Sequence, residues 1–337
     1  MIKRDKLYQK SPHFKNGLFF NRTETPNLTE GYTLSQVVLD FFLKGSKRRR
    51  PKSTIPSIKT NLKSLPLEKN LLVWFGHSSY YFQLNQKRFL VDPVFSGNAS
   101  PIPNTMLSFP GSDVFTPNDI PEIDYLILTH DHYDHTDLPT LLKLKHNFSR
   151  AILPLGVGEY FENWGFEQSR FSEHDWDERI ELENGITVFT KPARHFSGRT
   201  LVRNTTLWMS LLVKSDSYKL YLGGDSGYDT HFKEIGNEFG PIDLAVLENG
   251  QYNKMWRYVH TSPEETFQAA IDLKAKRLLP VHSSKFALSD HDWDEPLRKI
   301  SELSVNSPYG LLTPVIGEVV ELENENQKFN PWWEGLE

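Results

Sequence analysis

Short apolar runs alternate with polar turns along most of the chain, and this pattern predicts a sheet-rich α/β protein. Three runs at 71–75, 79–84 and 89–92 predict a β-meander, because turn residues separate them. Later runs predict further strands, most of them separated by helical stretches: 125–129, 151–155, 186–191, 207–213, 218–223, 244–247, 277–281 and, closing the sheet, 313–322.

Helical periodicity is clearest in three places. One helix is predicted after Leu138, and another begins at Ser262, where Pro263 and Glu265 complete a capping signal, and ends near Lys274. Nearer the N-terminus, residues 33–43 predict an amphipathic helix that packs on the main body, with apolar residues spaced three and four apart: Leu34, Val37, Val38, Phe41 and Phe42.

The texture of the sequence predicts two parts. Residues 1–68 form an N-terminal extension of mixed character that packs on the main domain, and residues 69–337 form that domain with a short acidic, aromatic C-terminal tail. A basic run at 44–52 lies in the extension. We interpret it first as a solvated linker, with a patch for anionic lipid or nucleic acid as the alternative.

Composition narrows the classes of function. The chain has 337 residues, a net charge of -5 and no cysteine. The negative charge disfavours a nucleic-acid partner, and the lack of thiolates leaves any metal site to nitrogen and oxygen ligands. The sequence lacks a signal peptide and a run of roughly 18 apolar residues, so we expect a cytoplasmic protein, compatible with peripheral membrane contact and with a homodimer.

The densest chemistry follows the predicted strand 125–129. His130, His132, Asp134 and His135 lie within six positions, and such crowding is best explained by a divalent cation that holds the side chains. Zinc suits these ligands, with manganese or iron as other candidates. His130 and His132 project the same way from an extended segment, whereas Asp134 and His135 lie past the bend and can face a second ion.

Three later strand ends supply the remaining ligands for two ions. His195 follows strand 186–191, Asp225 lies in a glycine-rich turn after strand 218–223, and His282 follows strand 277–281. Counting the ligands that each ion needs, we assign His130, His132 and His195 to one ion and Asp134, His135 and His282 to the other. Asp225 can bridge both ions, and water shared by two ions is a strong nucleophile near neutral pH.

This ligand series resembles that of the metallo-β-lactamase superfamily over about residues 69–325. The resemblance implies an α/β fold, the αβ/βα four-layer sandwich, with a dinuclear site at one edge. Several segments also resemble the N-acylphosphatidylethanolamine-hydrolysing phospholipase D group and its bacterial relatives: 74–78, 92–96, 192–200, 224–228, 239–245 and 285–288. Likeness to the β-lactam hydrolases themselves is weaker, since some of those bind a second zinc through cysteine.

The resemblance implies a hydrolase that uses two divalent metal ions and acts on a small-molecule or phospholipid substrate. A phosphodiesterase of phospholipase D type would attack phosphorus with a metal-bridging hydroxide, and Asp134 and Asp225 are the residues we assign to catalysis. A lactonase or other ester hydrolase could use the same centre, as could a nucleic-acid phosphodiesterase, which the net charge disfavours.

Further residues are candidates for supporting roles. We expect His77 and Asp92 to lie beneath the metal ligands and orient them, with an ordinary turn residue as the alternative. His291 and Tyr252 are predicted to reach the substrate.

Overall fold

The computed structural model describes residues 8–33, 35–37, 39, 45–199 and 202–337. Within them the chain forms two seven-stranded sheets and a small N-terminal hairpin. Most of the helix predicted over 33–43, including Leu34, Val38, Phe41 and Phe42, lies outside the described residues, although 35–37 and 39 are helical.

The first sheet is built from the N-terminal half of the main domain. Its strands lie in chain order, antiparallel at first and parallel from β5 to β8, and the last strand of the chain, β16, pairs with β3. The hairpin strands and the strands of this sheet are β1 (Phe14–Lys15), β2 (Leu18–Phe19), β3 (Leu71–Trp74), β4 (Tyr80–Leu84), β5 (Lys87–Val91), β6 (Ile123–Ile127), β7 (Phe148–Pro154), β8 (Phe171–His174) and β16 (Val319–Glu321).

The second sheet repeats the same plan. Three antiparallel pairings join β9 to β12, and three parallel pairings continue to β15. Its strands are β9 (Arg179–Glu181), β10 (Thr187–Lys191), β11 (Ser210–Lys214), β12 (Lys219–Leu222), β13 (Leu244–Glu248), β14 (Arg277–Val281) and β15 (Gly310–Leu311).

Alternation along the second sheet shows how the layers pack. Leu220, Leu222 and Val246 belong to the large core shared with the first sheet, whereas Tyr221 and Leu247 pack with a helical layer on the opposite face. Side chains of successive strand residues point to opposite faces, so one sheet contributes to both cores.

The helices are α1 (Leu138–Lys143), α2 (Val157–Asn163), α3 (His231–Phe239), α4 (Pro263–Asp272) and α5 (Glu295–Leu303), and the 3-10 turns are Leu62–Ser64, Pro117–Asp119, Gln168–Arg170, Lys254–Trp256 and Ser304–Asn306.

The predicted last strand, 313–322, is wrong over most of its length, because Val319–Glu321 is the only part of it that forms a strand. Val319–Glu321 pairs in the first sheet, and the preceding strand, Gly310–Leu311, pairs in the second. Gly317 separates them with a φ of +86°, and a Cβ there would lie 1.9 Å from the carbonyl oxygen of Ile58. The chain therefore turns at Gly317 and crosses from one sheet to the other, which an apolar run alone does not reveal.

Candidate metal centre

The seven predicted metal ligands converge where strands of both sheets end. His130 follows β6, His195 follows β10, Asp225 follows β12 and His282 follows β14. Six of the seven side chains are buried and His132 is half-buried. Because the carboxyl ends of parallel strands meet at one edge of a sheet, residues far apart in sequence become neighbours.

Gly224 allows the two sheets to approach at this edge. Its φ is +60°, and a Cβ would lie 3.0 Å from Cβ of Thr129 and 3.1 Å from the carbonyl oxygen of Met209. Met209 N donates to the carbonyl of Thr129 at 2.9 Å, which joins the first sheet to the second directly beside the ligands. Glycine is therefore required one residue before Asp225.

Three imidazole nitrogens form the first donor group. His132 Nδ1 lies 2.9 Å from His130 Nε2 and 3.2 Å from His195 Nε2. Ligand atoms held at about 2.0–2.1 Å around a tetrahedral zinc lie about 3.3 Å apart, which matches this spacing.

The second donor group surrounds Asp134. Its Oδ2 lies 3.5 Å from His135 Nε2 and 3.3 Å from His282 Nε2. Asp225 Oδ2 lies 3.2 Å from His135 Nε2 and 3.4 Å from His282 Nε2. The same oxygen is 3.9 Å from His130 Nε2 and 3.8 Å from His195 Nε2, so it stands between the two groups.

Burial and charge set the protonation of these residues. Burial, followed by the charges of His135 and His132, holds the pKa of His130 well below its usual value, and burial does the same for His195. Burial would lower the pKa of His282 too, but the Asp225 carboxylate and other acceptors raise it to about 9. The first group therefore consists of neutral imidazoles, the form that binds metals.

The two carboxyl groups behave in the opposite way. Burial opposes their ionisation, yet the charge of His135 holds the pKa of Asp134 and that of Asp225 well below their usual range. Burial also acts against protonation of His135, whereas the Asp225 and Asp134 carboxylates raise its pKa well above normal. The two carboxyl groups are therefore held ionised and stabilise positive charge beside them, on the histidines or on a bound cation.

The donor set fits metal ions. Asp225 Oδ1 and His135 Nε2 are buried and have no hydrogen-bond partner among the described residues. Such orphaned atoms are rare in folded proteins and call for an explanation such as an ion. The ligand atoms of each group lie within 4.8 Å of one another. The residues could thus hold metal ions through nitrogen and oxygen alone, and they leave the identity of the metal open.

Asp92 contacts the predicted metal ligands from below, and its orienting role stays a prediction. Its Oδ2 accepts from His135 Nδ1 at 2.8 Å and from Thr129 Oγ1 at 2.6 Å, and Thr129 Oγ1 lies 3.0 Å from His130 Nδ1. Burial raises the pKa of Asp92. One buried carboxyl group therefore contacts a ligand of each group, directly for His135 and through Thr129 for His130.

His77 contacts two of the predicted ligands directly, which an ordinary turn residue would not do. Its Nε2 is 2.8 Å from Asp134 Oδ2, and its ring centroid is 4.2 Å from that of His282. The backbones of His77 and His282 also pair, since His282 N donates to the carbonyl of His77 at 3.0 Å. Both residues have positive φ, 52° and 64°, which is strained for a non-glycine residue and frequent at functional sites.

Sequence reasoning missed Glu248, the last residue of β13. Its Oε2 accepts from His282 Nδ1 at 3.1 Å and from His260 Nδ1 at 2.6 Å, and the residue is 3% exposed. The available signal was an acidic residue at the end of an otherwise apolar strand. Glu248 orients His282 and also fixes His260, whose ring centroid lies 5.2 Å from that of His282.

The predicted substrate residues line a cavity beside this centre rather than the centre itself. A cavity of about 880 Å³ is lined by Tyr252, His291 and His260, among others. The rings of Tyr252 and His291 stack with centroids 4.7 Å apart, and Tyr252 Oη donates to Glu295 Oε1 at 2.8 Å. His260 connects the cavity to the ligands, since its ring is also 5.1 Å from that of His195.

Comparisons with known proteins agree with this geometry. A family model described as a beta-lactamase superfamily domain matches residues 87–283. An uncharacterized protein of Mycobacterium tuberculosis (strain H37Rv) is 33% identical over 96% of this chain and 88% of its own length. The N-acyl-phosphatidylethanolamine-hydrolyzing phospholipase D 1 of Caenorhabditis elegans is 30% identical over 74% of each chain.

A solved structure shows the same fold. Igni18, a metallo hydrolase from the archaeon Ignicoccus hospitalis, aligns with a TM-score of 0.57 at 19% identity, over 75% of this chain and 97% of that one. The predicted four-layer sandwich is thereby confirmed. In the described part of the chain, every helix is too short or too polar to cross a bilayer.

Proposed function

Because this chain belongs to the metallo-β-lactamase superfamily and is a metal-dependent hydrolase, we propose that it is a phosphodiesterase of phospholipase D type. The substrate we propose is an N-acylphosphatidylethanolamine-like lipid. The relative from Caenorhabditis elegans supports that substrate class, because the similarity extends over 74% of both chains.

The position of Asp225 Oδ2 carries the proposal of two ions. This oxygen lies 3.2–3.9 Å from the ligand nitrogens of both donor groups. His130, His132 and His195 would hold one ion, Asp134, His135 and His282 the other, and Asp225 would contact both. Zinc is the first candidate, followed by manganese and iron. When bound, two such ions would generate a nucleophile from water and polarise the phosphoryl oxygens.

The residues of the chain account for the rest of the reaction. Hydrolysis forms a bond between a water oxygen and phosphorus and breaks the bond from phosphorus to the headgroup oxygen, which then needs a proton. His260 would take the proton that the attacking water releases and pass it to the headgroup oxygen, because Glu248 accepts from its Nδ1–H and leaves Nε2 for the substrate. The products would be phosphatidic acid and an N-acylethanolamine.

The cavity next to His260 would receive part of the substrate. Its lining includes Tyr252 and His291 together with side chains of both charges, such as Arg257, Glu264 and Lys299. These polar groups suit a headgroup or a glycerophosphate better than an acyl chain, since charged side chains do not bury well against hydrocarbon. We therefore place the acyl chains outside this cavity.

A substrate panel on the metal-loaded protein tests the function. Zinc-loaded enzyme should release N-acylethanolamine from N-acylphosphatidylethanolamine in detergent micelles and should cleave a soluble phosphodiester such as bis(4-nitrophenyl) phosphate. Chelated enzyme should be inactive, and activity should return with zinc. Rapid turnover of a lactone with none of any phosphodiester would favour the lactonase alternative, and failure to bind metal after reconstitution would end the metal-dependent proposal.

A further inference from the structure

Asn21, in the N-terminal extension, forms two hydrogen bonds with the backbone of a predicted metal ligand. Its Nδ2 donates to the carbonyl oxygen of His195 at 2.7 Å, and its Oδ1 accepts from His195 N at 3.1 Å. Trp208 Nε1 also donates to Asn21 Oδ1, at 3.1 Å. Asn21 and His195 are separated by 174 positions in the chain, so only the fold brings them together.

This two-bond contact holds a ligand segment that lies outside the sheets. His195 lies four residues past the end of β10, in a loop, whereas His282 follows β14 directly. A side-chain amide offers a donor and an acceptor in one plane, as a neighbouring strand does with its N–H and C=O groups. Asn21 therefore takes the place of a strand partner for His195.

The imidazole of His195 is fixed independently of its backbone. Its Nδ1 donates to the carbonyl of Val259 at 2.8 Å, which leaves Nε2 directed at His132. With the ring held by Val259 and the main chain held by Asn21, the ligand nitrogen has little freedom to move. Such outer contacts set the geometry and the basicity of metal ligands.

Residues next to Asn21 form further hydrogen bonds with the segment that carries His195. Arg194, the residue before the ligand, donates from Nε to Thr25 Oγ1 at 3.0 Å and from Nη2 to the carbonyl of Glu24 at 3.2 Å. The carbonyl of Arg194 accepts from Gly227 N at 2.8 Å, two residues past Asp225. Residues 21–25 thus run along the strand ends that supply two of the seven ligands.

We propose that Asn21 is a positioning residue of the metal centre, and that the N-terminal extension completes the His130, His132 and His195 site rather than merely covering the fold. Asn21 acts through the backbone of His195 and touches no reacting atom. The proposal rests on the metal centre proposed above and is independent of the substrate.

Metal affinity of Asn21→Ala tests the proposal without any activity assay. We expect the zinc affinity of the histidine site to fall by about tenfold to a hundredfold, the usual cost of losing an outer contact of a ligand, while the affinity of the Asp134 site stays unchanged. Competition with a chelator gives both affinities, and the absorption spectrum of the cobalt-loaded protein reports the coordination of the affected ion.

Thr29→Val is the matched control. Thr29 lies in the same segment, and its Oγ1 donates to the carbonyl of Lys254 at 2.7 Å, without contact to a ligand residue. This variant also loses a hydrogen bond between the extension and the main domain, so it reports the effect of a looser extension alone. Its two zinc affinities should match those of the original chain.

Asn21→Asp keeps the proposal testable if Asn21→Ala does not fold. The carboxylate can still accept from His195 N and Trp208 Nε1, but it faces the carbonyl of His195 without a donor. We expect the same selective loss at the histidine site. Unchanged zinc affinities in this variant would overturn the role of Asn21, as would an equal loss at both sites, whereas an original chain that binds no metal would instead refute the proposed metal centre.

Discussion

Each carboxylate oxygen of Asp225 has its own environment, and this makes the residue a direct test of the centre. Oδ2 stands between the two donor groups, and Oδ1 is buried without a partner among the described residues. An asparagine side chain at this position would present an amide NH₂ group to imidazole nitrogens or to a cation. We therefore expect Asp225→Asn to lower turnover by more than about a hundredfold, beyond the usual cost of changing an outer contact.

The effect on folding should be much smaller, because the substitution preserves shape and leaves both cores untouched. Thermal melts of the metal-loaded protein beside turnover assays separate the two effects. Asp131→Asn is the matched control, since Asp131 is buried in the same motif but is not one of the predicted ligands, and its Oδ1 accepts from Gly198 N at 2.7 Å. A parallel collapse of stability and activity in Asp225→Asn alone would make Asp225 a structural residue.

Sequence reasoning identified the seven residues that the fold brings together at this edge, but not the residues that hold them in place. His130 to His135 form a dense local motif, and Asp225 and His282 directly follow recognisable strands, so each leaves a signal in the sequence. Asn21 and Glu248 leave none that is specific, because their importance comes from hydrogen bonds to partners that the fold brings close. A single asparagine after an apolar run usually makes a turn, and nothing local distinguishes Asn21 from that case.

At the scale of elements, α3 begins with a buried histidine that should make stability depend on pH. Burial lowers the pKa of His231 to about 3, and the residue is 5% exposed. Its Nε2 lies 3.3 Å from Ser226 Oγ, and its ring packs against Phe232. In the unfolded chain His231 has a pKa of about 6.5, so at acidic pH it binds a proton that it does not bind in the folded chain.

This difference makes the folded protein less stable as the pH falls. The contribution of neutral His231 is complete above about pH 6.5 and is lost as the pH falls towards 3, at up to about 1.4 kcal/mol per pH unit. His231→Gln should remove this part of the slope. Urea unfolding at several pH values measures the free energy in both proteins, and the difference between them cancels the titration of other groups. Identical slopes for the two proteins would show that His231 binds a proton equally well in the folded and the unfolded chain.

Elements were predicted well where periodicity and caps coincide. The helix after Ser262 begins as expected, since the Ser262 side chain accepts from Glu265 N and Glu265 reaches back to Ser262 N. The meander at 71–92 is also present as three paired strands. The error at 313–322 arose because a turn at Gly317 and a change of sheet are tertiary events that apolar content does not encode.

At the scale of the whole molecule, the boundary between residues 1–68 and 69–337 stays a prediction, but the two parts share many contacts. Thr29 N donates to the carbonyl of Met255, and Ile55 N donates to that of Pro110. Thr29 and Tyr32 also line the large cavity beside His260. The extension therefore contributes to the functional edge of the main domain.

The basic run within the extension is only partly available to a partner. Arg48 pairs with Asp292 and Asp294, each at 3.0 Å, and so fixes the segment that carries His291. Arg50 donates to the carbonyl oxygens of Leu107 and Ser108 and stacks over Phe109. These two arginines support the fold, and reversing their charge would confuse loss of membrane contact with loss of structure.

Lys47 and Lys52 are the residues with which to test membrane contact. Both are exposed, and the ion pair of Lys52 with Glu337 is long, at 3.8 Å, and lies at the surface. A lysine near an anionic bilayer contributes about 1 kcal/mol to binding, and salt weakens the attraction. We therefore expect Lys47→Glu with Lys52→Glu to reduce binding to phosphatidylserine vesicles by more than about tenfold, because repulsion replaces attraction at two positions.

Vesicle co-sedimentation at low and high salt measures this effect, and turnover of a soluble phosphodiester should stay the same. The control is Lys214→Glu with Lys233→Glu, which changes the net charge equally at two exposed lysines on β11 and α3. If both double variants lose binding alike, overall charge governs it and the basic run has no special part. If neither variant loses binding, Lys47 and Lys52 are merely solvated, and a lipid substrate must reach the centre without help from these lysines.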